Sequence, residues 1–84
     1  MLHVEIVQEW HHKAGVECYG LQVVGLRETE RLVEMMEERG TGERDTNLID
    51  GEINRIRIWI YDSNERLGNT TDWDKIMLAV STHR

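Results

Sequence analysis

Arg55, Arg57, Trp59 and Tyr61 stand on alternate positions of the stretch Glu52-Ile-Asn-Arg-Ile-Arg-Ile-Trp-Ile-Tyr-Asp62. Two guanidiniums and two large aromatics at that spacing have two plausible uses. Arg, Trp and Tyr carry most of the energy at protein interfaces, so the set can grip another protein. Alternatively, the guanidiniums can hold an anion such as a nucleotide phosphate, while an aromatic face stacks on its ring. The composition does not separate these uses, because both want the same residue types.

A second group of reactive side chains is His11, His12 and Cys18. Imidazole and thiol are zinc ligands, and a pairing of His11 with Cys18 could also be written as an activated thiolate. Two ligands fall short of the four of a structural zinc, so His3 or His83 would have to complete the set. Exposed turn histidines and a small packed cysteine account for the same residues more simply, and no metal or other cofactor is expected. Asp45, Asp50 and Glu52 do not fit the spacing of a twelve-residue calcium loop. Gly40-Thr-Gly42 lacks the lysine of a phosphate loop. Scattered acids can pair as acid and base in almost any fold and discriminate nothing. No catalytic residues are assigned, and the chain is read as non-enzymatic.

The net charge is −6, with eight Arg and two Lys spread among sixteen acids. Nucleic-acid backbones and anionic membranes reward basic patches, so neither is an expected direct partner. An acidic decoy of nucleic acid is a sharper reading of the same charge, but the interspersed basic residues weaken it. The single cysteine allows no internal disulfide and points to a reducing, cytoplasmic setting. The first residues lack the pattern of a secretion signal, and the longest apolar run, residues 76–80, is far too short to span a bilayer.

Elements must position these groups, and 84 residues suffice for one domain, residues 1–84. Ile56, Ile58 and Ile60 recur at period two and predict a strand over 52–62, with the Arg and aromatic residues on its outer face. Residues 2–10 and 16–25 alternate as well. A turn at Ala14-Gly15 would pair Trp10 with Tyr19, Gln8 with Leu21 and Ile6 with Val23, all on one face. Residues 28–39 predict a helix, with Leu32, Val33, Met35 and Met36 on one side and Gly40 as its stop. Residues 40–51 and 62–69 read as loops. The tail fits either a strand or a helix capped by Thr71, with Trp73, Ile76, Met77 and Val80 in one stripe, and the cap favours helix.

The expected fold is therefore a small α+β domain of topology ββαβ(α). An antiparallel three-stranded sheet of order 2-1-3 would carry one or two helices, with the last element a fourth strand if the tail extends. Its open face would show His3, Glu5, Val7 and Glu9 beside Arg55, Arg57, Trp59 and Tyr61. Cross-strand Glu–Arg pairs explain the charges but not the apolar residues among them. The expected function is a protein-interaction module, homodimeric or bound to another protein, acting as an acidic adaptor or stoichiometric inhibitor. The second expectation is a binder of an anionic small molecule at a subunit boundary.

Overall fold

A computed structural model describes residues 2–82, with side chains described from residue 7 onward. Four helices surround one short hairpin: α1 (Leu2–Lys13), β1 (Val16–Tyr19), β2 (Gln22–Gly25), α2 (Leu26–Thr41), α3 (Thr46–Arg66) and α4 (Trp73–Thr82). The sheet has two antiparallel strands, in register Val16 with Gly25 through Tyr19 with Gln22. The three-stranded 2-1-3 sheet and the ββαβ(α) topology are thus overturned by a mostly helical fold.

The largest correction is residues 52–62, which lie inside the helix α3. Their isoleucines satisfy two periods at once. Ile56 and Ile60 are buried one helical turn apart, and Ile49 and Asn64 extend the same stripe at both ends. Ile58, which period two placed in the core, is 54% exposed. The helix ends confirm the longer period. The Asp45 side chain accepts a hydrogen bond from the Asn47 N–H at 2.9 Å, capping the start. Gly68, at φ +73, closes the other end, and the N–H groups of Gly68 and Asn69 return to the carbonyls of Glu65 and Asn64. Both supposed loops flanking the strand are therefore partly helix. Isoleucine lowers helix propensity by well under about 1 kcal/mol, which tertiary burial overrides.

Residues 2–10 form no strand either. They belong to α1, where His11 is buried and Val7, one turn earlier, is half-buried. Gly15, at φ +74, follows the helix end and carries the chain into β1, so the glycine that suggested a hairpin turn stands after a helix instead. The expected pairings of Trp10, Gln8 and Ile6 with residues 19, 21 and 23 do not exist. The side chains of His3, Glu5 and Ile6, and residue His83, lie outside the described residues.

The one strand expected over 16–25 is instead two, Val16–Tyr19 and Gln22–Gly25, folded back on each other, and burial does not alternate along either. Gly20 and Leu21 take φ +53 and +77, a turn whose two central residues are both left-handed. Leucine is a poor residue for that conformation. Its carbonyl accepts a hydrogen bond from the Asn69 side-chain amide, which ties the turn to the end of α3.

The hairpin is covered on two faces. Val24 packs with Leu32, Ile56, Ile60, Ile76 and Val80 of α2, α3 and α4. Val23 points the other way and is buried as well. A strand buried on both faces loses the alternating pattern that would identify it. The outer edge of β2 meets α3, where the Asn64 Oδ1 accepts a hydrogen bond from the Val23 N–H at 2.7 Å. Its buried Nδ2 has no hydrogen-bond partner among the described residues.

The remaining expectations fared better. The helix over 28–39 is present within α2, with Leu32 buried, Val33 packed on the core and Met36 39% exposed, but it runs through Gly40, the expected stop, and ends at Gly42, whose φ of +69 only glycine adopts freely. The tail is a helix, with Ile76 and Val80 buried and Trp73 and Met77 packed against the core. Its cap is one residue later than expected: the Asp72 carboxylate accepts from the Lys75 N–H at 3.1 Å.

Candidate functional site

A helix advances about 100° per residue, so alternate positions diverge where those of a strand would coincide. Arg55, Arg57, Trp59 and Tyr61 accordingly separate into two pairs. Arg55 and Trp59, one turn apart, lie on one side of α3. Arg57 and Tyr61, also one turn apart, lie on the other. The single outer face expected from the sequence does not form.

Trp59 forms one wall of a cleft. Trp10 of α1 stands opposite, Val16 and Val23 of the hairpin line it, and Ser63, Arg66 and Leu67 extend it along the end of α3. The cleft encloses about 240 Å³. Trp10 is 62% exposed and meets the His11 ring edge-on, with centroids 4.6 Å apart. Trp59 is held more firmly. Its backbone carbonyl accepts from the Ser63 hydroxyl at 2.8 Å, and its ring approaches Gly25 so closely that an added Cβ would lie 3.2 Å from Cη2. That glycine lets the indole lie against the start of α2. Arg66 brings a guanidinium to the same cleft, and no ion pair is described for it.

The other side of α3 is shallower. The Arg57 guanidinium lies over the Trp73 ring, 4.7 Å from its centroid. Asn54, Ile58 and Tyr61 continue this surface, and Ile58 and Tyr61 are both about half exposed.

The other candidate groups are used within the fold. His11 and Cys18 do come together, with Nδ1 and Sγ 3.7 Å apart, although α1 packing on β1 joins them and not a pairing of strands. Burial pushes the Cys18 thiol up, which favours the thiol over a nucleophilic thiolate. Among the described residues no three His, Cys, Asp or Glu side chains are grouped to hold a metal ion. Asp45 caps α3, Asp50 accepts from Arg39 at 2.6 Å, and Glu52 accepts from Arg31. Glu9, expected beside the arginines, pairs with Lys13 at 3.3 Å on its own helix.

Sequence reasoning missed Trp10 and Arg66 as parts of a site. Arg66 lay in a stretch read as loop. Had the Gly68 stop been combined with the spacing of Trp59 and Arg66, seven residues apart, both would have fallen on one helix side. No signal in the sequence brings Trp10 and Trp59 to one cleft, because that depends on where α1 packs against the hairpin.

No known family, curated protein or solved structure matches the chain. No described helix is long and apolar enough to cross a membrane.

Proposed function

We propose that the chain is a non-enzymatic protein-interaction module whose cleft between Trp10 and Trp59 receives one apolar side chain of a partner segment. The observation that carries this reading is the size of the cleft beside its composition. Small-molecule sites usually enclose roughly 300–1,000 Å³, whereas this one encloses about 240 Å³. A slot of that size suits a leucine or one aromatic ring. Two tryptophans over valines, with an arginine alongside, also have the make-up of an interface anchor point. A carboxylate next to the partner's anchor would find Arg66. Such a chain acts by occupancy, as an adaptor or a stoichiometric inhibitor.

The nucleotide reading loses ground on two counts. The cleft is small for a base with its sugar and phosphates, and Arg55 and Arg57 lie on different sides of α3, so they cannot clamp one phosphate together.

The test is a titration followed by the indole N–H resonances of Trp10 and Trp59. The probes are short peptides bearing one Phe or Leu flanked by Asp or by Lys, with ATP as the competing ligand class. Acid-flanked peptides should shift both indoles, and Arg66→Glu should weaken that binding about tenfold. Saturation by ATP with silent peptides would reverse the assignment.

A further inference from the structure

On the solvent side of α3, Gly51, Asn54, Ile58, Tyr61 and Glu65 recur at the alternating three- and four-residue spacing of a coiled-coil seam. All five are exposed. Ile58 is the centre of the row and points almost directly away from the buried stripe of Ile56 and Ile60. Arg55 and Asp62, seven residues apart, flank this row on the same side.

We propose that a second copy of this chain docks on this face, α3 against α3, with the two helices antiparallel. In an antiparallel pair each flank of the seam meets the same flank of its partner, run in reverse. Ile58 then lies against the Ile58 of the second copy. Arg55 lies against the second copy's Asp62 and Asp62 against its Arg55, so the two-fold axis makes two ion pairs from one. On the opposite flank Asn54 faces the Tyr61 of the second copy. An isologous contact needs a surface that is its own complement, and this one is.

The orientation follows from which charges are free. Parallel helices would have to pair Asp50 and Arg57 with the second copy's Arg55 and Asp62. Both are occupied within the chain, Asp50 by Arg39 at 2.6 Å and Arg57 by the Trp73 ring at 4.7 Å. Arg55 is held only by a 3.4 Å contact with Glu52, and its side chain is 80% exposed. Asp62 has no described ion pair. Gly51 is consistent with close approach. It lies inside α3, where glycine weakens a helix, and it has open space where a side chain would stand, so nothing within the chain calls for it there. The contact uses one helix face with few apolar residues, so the dimer should be weak, with Kd about 10–100 μM.

Sedimentation equilibrium on the full chain tests this, with thermal melts at low concentration as a control for folding. Ile58→Glu should abolish dimerisation while leaving the dilute melt unchanged. Asp62→Arg should raise Kd about tenfold, through two lost pairs and two new repulsions, and Arg55→Asp combined with Asp62→Arg should restore it. Trp10→Glu should leave the dimer intact, because the cleft lies elsewhere and its failure would not touch this face. A chain still monomeric near 1 mM, about ten times the upper expected Kd, overturns the proposal. So does a dimer that survives Ile58→Glu, or a double variant no better than Asp62→Arg.

Discussion

The two sides of α3 carry the same residue types, an arginine and an aromatic one turn apart, yet they present different surfaces. On one side Trp59 and Trp10 line one cleft, together with Val16 and Val23 of the hairpin. On the other, Tyr61 and Ile58 stand on an uncovered helix, with Arg57 folded back onto Trp73. One is concave and suited to a single side chain. The other is convex and suited to another helix. Composition was equal on both, so curvature contributed by neighbouring elements separates an anchor pocket from a packing face.

The sharpest way to break this comparison is to truncate adjacent turns of α3. Ile60→Ala removes a fully buried side chain and should cost about 2–5 kcal/mol, enough to threaten so small a domain. Ile58→Ala, measured dilute enough to be monomeric, should stay within about 0.5 kcal/mol. Urea unfolding of both variants provides the check, and equal losses would mean that both sides of α3 are covered.

The aromatics make a finer test. Trp59→Ala should cost about 1–3 kcal/mol, because its indole is partly buried against Gly25 and the hairpin. Tyr61→Ala should cost less than about 0.5 kcal/mol in the monomer. Similar melting temperatures for the two would place Trp59 on the surface and erase the cleft.

The convex side depends on α4 bringing Trp73 to Arg57. Asp72→Ala removes the cap of α4 and should destabilise by about 0.5–2 kcal/mol, with red-shifted tryptophan emission as the first turn frays. Thr71→Ala, one residue outside the cap, should cost less than about 0.5 kcal/mol. Were the order reversed, the helix would begin one residue earlier.

The smallest effect concerns the hairpin beneath the cleft. Burial, and then the Glu17 carboxylate, push the Tyr19 phenol above its ordinary value of 10.0, and burial pushes the Cys18 thiol above 9.0. Both stay protonated longer in the folded chain than in the unfolded one. Their stabilisation is complete below those ordinary values and declines as pH rises through and beyond them. The urea midpoint should therefore fall between about pH 9 and 11, and Tyr19→Phe should flatten the decline. A midpoint unchanged across that range would mean that neither group is sheltered.

Much of the helical detail was legible from one dimension. The stripe Trp73, Ile76, Met77 and Val80 fits the period of α4, and Leu32 and Val33 identify the inner side of α2, because an amphipathic helix writes its buried face into the sequence at fixed spacing. The four outer-face residues were legible as suspicious chemistry but not as a place. Ile56, Ile58 and Ile60 fit two periods, and only Ile49, Asn64 and the end signals at Asp45 and Gly68 break the tie. Residues 2–10 misled in the same way.

What the sequence by itself determined is therefore local: the presence of α2 and α4 and their apolar stripes, with helix ends placed only to within a residue or two. Tertiary structure decided that the strand-like isoleucines are helical in agreement with the end signals at Asp45 and Gly68, and it alone decided that Val23 and Val24 are both buried and that Trp10 and Trp59 line one cleft. The physical reason is that a short isoleucine-rich stretch has nearly equal intrinsic freedom to be helix or strand, within about 1 kcal/mol per residue. The choice falls to whichever arrangement buries more apolar surface, and that surface belongs to residues far away along the chain.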